Sequence, residues 1–482
     1  MPHAALGALL LLPWLGVALL GDLRHGALPW FLVLYFAASS GYLAALVRVA
    51  RRPQDRDPRA LVAIGVVAVA LRLLLLATTP SLSDDAWRYR WEGRVQLAGA
   101  NPYATPPAEP ALAPLRDGEW LKVNHPEVPA VYGPALELLF AALAPLPGGL
   151  LPLKLAFLAA DLLLLWLVLA GLRRRGGDRR WALVYAWHPL VLLEVAGQGH
   201  LEVIPIALLA LALELEERAR PRAAALALGL AIAAKYLPVL LVPAFLLAAP
   251  RGRRLARLGW IALPVALCAL PYLGAAAKLG AGLAAYGATW RCNDGGFFLL
   301  DRLLEAAGLS QAFCRHLLPA FVSVPAGFDP ALHQTWMRIL PKLCAGALGL
   351  CGVAWLSRPR TAGAPPDLRR AALGAGALFL LLSPTVHPWY GLWLVPFLPG
   401  STAREGRAAW LYLSLILPLA YVVLLGYSGL PGSWRELPAV RAAEWLPTAG
   451  LLAWALWSSR ARDAPEAAAW RARPASAVEA AG

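Results

Sequence analysis

The sequence predicts an all-α membrane protein that crosses the bilayer many times. Of its 482 residues, 59% are hydrophobic and only 15% are charged. Many apolar runs reach about 20 residues, the length that a helix needs to span the hydrocarbon core. Arginines gather in short connections between these runs, as the positive-inside rule expects of cytoplasmic loops. We therefore predict roughly 12 to 14 transmembrane helices, in a single domain over residues 1–459.

The distribution of Lys and Arg predicts which side of the membrane each loop faces. The basic connections lie at residues 48–59, 173–180, 217–222, 251–257, 358–370 and 404–407. Placing them in the cytoplasm puts two long polar loops, residues 80–131 and 278–334, on the outer side. Residues 460–482 are predicted to form a disordered cytoplasmic tail. The formal net charge of +15 thus indicates orientation and contact with membrane lipids, and we expect no nucleic acid as partner.

The apolar stretch at residues 132–147 does not fit this alternation. The loop before it, residues 80–131, is placed outside, and the basic segment at 173–180 is placed in the cytoplasm, so the chain must cross the membrane an odd number of times between them. The apolar length between these segments is nevertheless enough for two helices. The stretch opens with "YGP" and closes with "PLPGG", which are helix-breaking residues. We predict a re-entrant or interfacial segment here.

The first external loop opens with two adjacent carboxylates, Asp84 and Asp85, directly after an apolar run. A neighbouring like charge and partial desolvation can raise one carboxyl pKa and produce a general base. Alternatively, Ser83 and Asp84 cap a helix through "AWRYRWEGRVQLAG" that ends at Gly99. The residues by themselves leave both interpretations open.

That predicted helix has an apolar stripe and several cations. Trp87, Trp91 and Val95 recur every four residues, which indicates an interfacial helix lying along the membrane surface. The side chains that remain available for phosphate groups are Arg88, Arg90 and Arg94.

The loop sequence also resembles a known family. "SDDAWRYRWEGRVQLAGANPY", followed by "NHPEVPAVYGPALELLF", resembles the first external loop of GT-C glycosyltransferases. It is most similar to bacterial polyprenyl-phosphate-mannose-dependent mannosyltransferases and, more distantly, to the first mannosyltransferase of GPI-anchor assembly. A weaker likeness extends through "AWHPLVLLE", "GHLE", "AAKYLPVLLVP" and "LLSPTVHPWYGLWLVPF". In the family, an acidic residue followed by x-x-R-Y is the catalytic base, which favours Asp85 over Asp84.

The resemblance implies an activity and a location. The protein is expected to transfer a hexose, commonly mannose, from a polyprenyl-phosphate donor to a hydroxyl of a glycolipid or glycan, by inverting displacement. The composition, rich in Ala and Arg, suggests a bacterial inner membrane with the active site facing the periplasm. We expect no cofactor and assign no metal ligands: five scattered cysteines show no CxxC spacing, which argues against a zinc site. Metal dependence stays open, because an Asp-Asp pair can hold a hard cation, although two carboxylates alone are a poor site for one.

The departing lipid phosphate requires cations or hydrogen-bond donors near the base. Lys235, inside an apolar run, either binds this phosphate or is a snorkelling or paired lysine. His387 is either a site residue or a satisfied interfacial histidine. The full set of predicted donor-phosphate or substrate-binding residues is Arg88, Tyr89, Arg94, His200, Glu202, Lys235, His387 and Tyr390.

Other charges inside apolar runs are predicted to be structural. Arg72 is expected to pair with a carboxylate such as Asp161, because an isolated charge in hydrocarbon is costly. Glu137 and Glu194 are likewise expected to meet a cation or backbone donors.

Two other functions share some of these features. A transporter or lipid flippase would place its polar groups near the membrane midplane on broken helices or in repeats. A lipid-linked oligosaccharide ligase or polymerase would favour Arg and His in a large external loop without the acid-first pattern. The clustering of polar groups at the outer boundary favours glycosyl transfer from a polyprenyl phosphate.

The predicted topology can be tested by cysteine labelling. In a chain whose five native cysteines are replaced, Gly99→Cys should react with a membrane-impermeant reagent in intact spheroplasts, because the first loop faces outward. Gly177→Cys should react only after permeabilisation. The reverse pattern would contradict the orientation and the site assigned to the outer face.

Overall fold

The computed structural model describes residues 3–52, 58–318, 336–361, 364–427 and 434–471. Within these ranges the chain is helical, and its one bridge of β type joins Cys292 and Thr385. The all-α class is confirmed. The second predicted external loop, residues 278–334, lies partly outside the described residues, which end at 318 in that region.

The principal helices follow one another with short connections. They are α1 (His3–Leu20), α2 (Leu28–Arg51), α3 (Pro58–Leu76), α4 (Asp85–Leu97), α5 (Pro134–Leu143), α6 (Leu151–Arg174), α7 (Val203–Glu217), α8 (Pro221–Ala234), α9 (Val242–Leu247), α10 (Arg254–Ala269), α11 (Ala281–Thr289), α12 (Gly296–Ala306), α13 (Ile339–Leu356), α14 (Leu368–Leu382), α15 (Arg407–Ile416) and α16 (Pro438–Arg471). Short helical turns, several of 3-10 type, join many of them.

Six helical segments of the described chain are long and apolar enough to cross a membrane. They are Leu28–Arg51, Pro58–Leu76, Leu151–Arg174, Arg251–Lys278, Ile339–Leu356 and Arg407–Leu425. Four shorter apolar helices accompany them: Ala5–Leu20, Pro134–Leu143, Pro221–Ala234 and Leu237–Leu247. A polytopic membrane protein is confirmed, and the count of 12 to 14 crossings stays a prediction.

Helix α5 occupies the stretch expected not to cross. It has 10 residues, so it rises only about 15 Å, roughly half the thickness of the hydrocarbon core. Gly133 precedes it, and the added Cβ of any other residue there would lie 2.2 Å from the carbonyl oxygen of Ala233. The glycine therefore allows α5 to start in contact with the end of α8.

The bundle interior contains a fully buried ion pair. Arg72 of α3 and Asp161 of α6 are each 1% exposed, with Nε to Oδ2 at 2.6 Å and Nη2 to Oδ1 at 3.2 Å. The guanidinium also donates to the carbonyls of Ala68 and Ala186, and the Tyr185 hydroxyl donates to Asp161. The predicted pairing of Arg72 with Asp161 is confirmed, and each of the three guanidinium nitrogens finds an acceptor within the bundle.

The loop at residues 80–131, called here the first loop, folds into its own small core. Helix α4 ends two residues before Gly99, whose φ of +82° suits glycine. Trp91 and Val95 are buried against Leu112 and Val123 of the same loop. The prediction that the tryptophan stripe faces lipid is therefore wrong for Trp91 and Val95, because the rest of the loop covers that side of α4.

The C-terminal end is described as far as helix α16, which runs to Arg471. This helix includes the first residues of the predicted tail, 460–482, whereas residues 472–482 lie outside the described residues. The disorder and the cytoplasmic location of the tail stay predictions.

The Arg72–Asp161 pair generates a stability prediction. Asp161→Ala should lower the free energy of unfolding by about 3 to 5 kcal/mol, because it leaves a buried guanidinium unpaired. The double variant Arg72→Leu/Asp161→Leu should lose less than the single variant, since it buries no unpaired charge. Thermal and denaturant unfolding of the detergent-solubilised protein measures both.

A matched control is the ion pair between Arg302 and Glu305, whose side chains are 57% and 42% exposed. Glu305→Ala should cost only about 0 to 1 kcal/mol. A double variant of the buried pair that is less stable than Asp161→Ala would contradict the assignment of the penalty to unpaired charge.

Candidate active site

A cavity of about 780 Å³ lies where the first loop meets the ends of several bundle helices. The first loop forms one wall, and the segments around residues 202, 235, 286–293 and 386–390 form the others. The cavity brings together these predicted site residues: Asp84, Asp85, Arg88, Glu202, Lys235, His387 and Tyr390. Residues separated by as much as three hundred positions thus share one space.

Asp85 is the first residue of α4 and points into this cavity. Its Oδ1 accepts a hydrogen bond of 2.8 Å from the Asn124 side-chain amide. No cation of the described residues forms a salt bridge with its carboxylate, and a neutral amide uses one lone pair only. Asp85 therefore keeps the acceptor capacity that a general base needs.

Asp84 has a different environment, although it is the adjacent residue. Its Oδ1 lies 2.5 Å from Nη2 of Arg24, which comes from the connection between α1 and α2. Burial raises the pKa of the Asp84 carboxyl, and the Arg24 charge opposes that rise. The Asp84 carboxylate is thus held by a cation, whereas the Asp85 carboxylate is held by a neutral amide.

The capping alternative is only partly supported by this geometry. Asp84 occupies the N-cap position of α4, but its side chain makes no capping hydrogen bond. The Ser83 hydroxyl instead accepts a hydrogen bond of 3.2 Å from the backbone N–H of Asp85. The prediction that Asp84 caps the helix is wrong, because Arg24 engages its carboxylate.

Lys235 and Glu202 form an ion pair at the cavity wall. Lys235 directly follows α8, where its side chain is 23% exposed, and its Nζ contacts the Glu202 carboxylate. The same Nζ lies 5.1 Å from the centre of the Tyr390 ring. Lysine has three donor hydrogens, so pairing with Glu202 leaves donors that can face the cavity. Lys235 is thus both paired and available to a ligand.

Two histidines stack on one tryptophan beside this pair. The His387 ring lies 4.4 Å from that of Trp389 with an interplanar angle of 5°, and the His200 ring lies 4.0 Å away at 17°. Enclosure by the protein lowers the pKa of His387 to about 3, so its imidazole is neutral near pH 7. His387 can therefore offer a hydrogen bond to a ligand but no positive charge.

His200 lies behind this wall and does not line the cavity. Its side chain is completely buried, and Nδ1 lies 2.9 Å from Oε2 of Glu194. Glu194 in turn accepts hydrogen bonds from the Tyr421 hydroxyl. The predicted contact of His200 with substrate is not supported, because Trp389 stands between this ring and the cavity lining. His200 instead supports the position of Trp389.

Three predicted phosphate ligands in the first loop have other partners. Arg94 pairs with Asp117 at 2.8 Å, and neither Arg94 nor Tyr89 lines the cavity. Tyr89 is buried, with its ring stacked 5.1 Å from that of Phe140. Arg88 reaches the cavity wall, but its donors are engaged within the loop. Arg88 and Arg94 thus bind other parts of the first loop, and Tyr89 packs the loop against α5.

Several cavity residues were missed at the sequence level. Arg24, Asn124, Arg291 and Arg441 line the cavity, although none was named as a candidate. Asn124 stands in the "NHPEVP" motif, which was a signal that could have found it. The arginines lie in short polar segments far from the first loop, and their sequence surroundings carry no comparable motif.

Two models of known protein families match the chain. Residues 4–251 match the model for Alpha-(1->6)-mannopyranosyltransferase, N-terminal domain, and residues 130–384 match that for Glycosyltransferase family 87. Comparison with curated proteins and with solved structures finds no match. The first matched region contains Asp85 and the whole first loop, and both contain Lys235 and Glu202. Since each match covers more than half of the 482 residues, the chain belongs to these two families and is a membrane glycosyltransferase of the GT-C type.

Proposed function

We propose that this protein transfers mannose from a polyprenyl-phosphate carrier to a hydroxyl group of a glycolipid or glycan acceptor, at the outer face of a bacterial inner membrane. The observation that carries the proposal is the shared cavity, in which the cation-free carboxylate of Asp85 faces the same space as the Lys235 ammonium. The description of the first matched family favours mannose as the sugar. Family membership also argues against the transporter alternative.

In the proposed reaction, Asp85 accepts the proton of the acceptor hydroxyl while the oxygen of that hydroxyl attacks the anomeric carbon of the donor sugar. The bond between that carbon and the carrier phosphate breaks on the opposite side, and its electron pair leaves with the phosphate. Attack and departure from opposite sides invert the anomeric configuration. A lipid phosphate is the product besides the glycoside.

The leaving phosphate gains charge as the bond breaks and needs donors already in place. Lys235 supplies a positive charge, and the nearby Glu202 carboxylate holds the ammonium in position. The neutral His387 ring supplies at most one further hydrogen bond to a phosphate oxygen. The apolar part of the cavity wall, formed by residues such as Val423, Leu424 and Leu437, is suited to the polyprenyl chain.

The adjacent carboxylates provide the sharpest test of the base. Asp85→Asn keeps the size of the side chain but removes the proton acceptor, so transfer should fall by at least about 10²-fold while donor binding survives. Asp84→Asn should lower the transfer rate less, because the Asp84 carboxylate is paired with Arg24. Single-turnover transfer from a mannosyl lipid phosphate, with the purified protein, measures both effects.

If Asp84→Asn abolishes transfer and Asp85→Asn does not, the two roles are exchanged. If neither variant changes the rate, the carboxylate pair is structural and the proposed mechanism fails.

Donor binding tests Lys235 and His387. Lys235→Ala should weaken donor use by about 10- to 150-fold, the equivalent of one charge-assisted hydrogen bond. His387→Ala should have a smaller effect, since the imidazole is neutral and a neutral hydrogen bond is worth only about 0.5 to 1.5 kcal/mol. The concentration dependence of transfer on the lipid donor measures both.

Lys342→Ala is the matched control for the lysine. Its ammonium donates to the carbonyls of Gly287 and Ala288 and does not line the cavity. Unchanged donor kinetics in a folded Lys235→Ala variant would contradict the donor-binding role of Lys235. The ion pair with Glu202 would then be its only role.

A further inference from the structure

A second crevice, of about 790 Å³, lies at the opposite end of α3 from the candidate active site. One wall is the first part of α3, with Val62 and Gly65, and the other is the last part of α6, with Trp166. Ala182 and Ala186, from the turns after α6, also line it. The crevice is therefore apolar inside and is bounded by two membrane-spanning helices.

Four arginines surround the mouth of this crevice: Arg173, Arg174, Arg179 and Arg218. Arg174 and Arg218 both contact Glu214, Arg174 also lies 3.5 Å from Glu217, and Arg369 lies 3.5 Å from Glu214. Arg173 and Arg179 are exposed, and neither forms an ion pair or a side-chain hydrogen bond with any residue in the described parts of the chain. The mouth thus carries positive charge that Glu214 does not neutralise.

The walls leave apolar surface uncovered. Val62 is 64% exposed and Trp166 is 52% exposed, and both belong to membrane-spanning helices. Gly65 forms a notch, because a Cβ added there would meet no atom within 4 Å. Along α6, the distance from Leu165 to Arg173 is about 12 Å, close to the depth of one leaflet of a hydrocarbon core about 30 Å thick.

We propose that this crevice binds an anionic phospholipid, with the headgroup phosphate at Arg173 and Arg179 and one acyl chain between α3 and α6. Arginine presents a planar set of donors that matches phosphate oxygens, and unpaired arginines favour an anionic over a zwitterionic lipid. A free phosphate would engage the arginines but leave the apolar walls uncovered. The site is separate from the glycosyl-transfer cavity and does not depend on the proposed reaction.

Lipid retention by the full-length protein tests the proposal. Native mass spectrometry of the delipidated protein, with phosphatidylglycerol or phosphatidylcholine of the same acyl chains, should show a preference of about thirtyfold for phosphatidylglycerol, as expected for two arginines near a headgroup. Arg173→Gln/Arg179→Gln should abolish that preference. Gly65→Leu should weaken phosphatidylglycerol binding by about tenfold, because the leucine side chain fills the place of one or two methylene groups of the acyl chain.

Gly259→Leu is the matched control for the notch. Gly259 lies in α10, also has no atom within 4 Å of an added Cβ, and does not line the crevice, so lipid retention should not change. Equal retention of the two lipids, or equal losses in Gly65→Leu and Gly259→Leu, would overturn the proposal. Thermal stabilisation by inorganic phosphate alone that equals the effect of phosphatidylglycerol would also overturn it, because it would identify a site for free phosphate.

Discussion

The Arg88 guanidinium holds the first loop in the shape on which the candidate site depends. Its Nε donates to Glu92 at 2.6 Å, and its Nη atoms donate to the carbonyls of Asn124, His125 and Val128. Because these donors are fixed in one plane, they set both the distance and the orientation of the segment that they bind. That segment carries the Asn124 amide that contacts the carboxylate proposed as the base. The arginine of the D-x-x-R-Y pattern therefore acts on the site through the backbone of its own loop.

Charge pairing separates structural from candidate functional groups in this protein. Arg72 and Asp161 satisfy each other inside the bundle, where water is absent and an unpaired charge would be costly. Asp85, at the cavity, accepts a hydrogen bond from a neutral amide and has no charged partner among the described residues, which is why we propose it as the base. Lys235 is intermediate, since its carboxylate partner fixes its position while spare donors remain.

The fold class followed from the sequence because long apolar runs have few alternatives in a membrane. Asp85 and Lys235, which line the cavity, could also be singled out from the sequence. A carboxylate pair after an apolar run and an ammonium inside one are each energetically costly, so each needs a physical reason. The contacts that Arg88, Arg94 and Trp91 make were not predicted, for one physical reason. Apart from the Arg88–Glu92 pair within α4, their partners come from residues 112–128, which fold back over α4. Hydrophobic or charge periodicity along a helix does not contain that information. Family resemblance pointed to the first loop as the site but could not show which of its cations already have partners within the protein.

Asp84 and Asp85 have different environments because the helix α4 starts at this point: Asp84 is its N-cap residue, and Asp85 is its first helical residue. Successive residues of a helix point about 100° apart, so one carboxylate turns toward Arg24 and the other toward Asn124 and the cavity. The pair is thereby prevented from sharing a proton as two facing carboxylates would. An inverting displacement needs one base on the side of the attacking hydroxyl and one cation on the side of the leaving phosphate. The structure places on the wall of one cavity both a carboxylate withdrawn from its neighbour and an ammonium held by a different carboxylate, and this is the geometric basis of the proposed displacement.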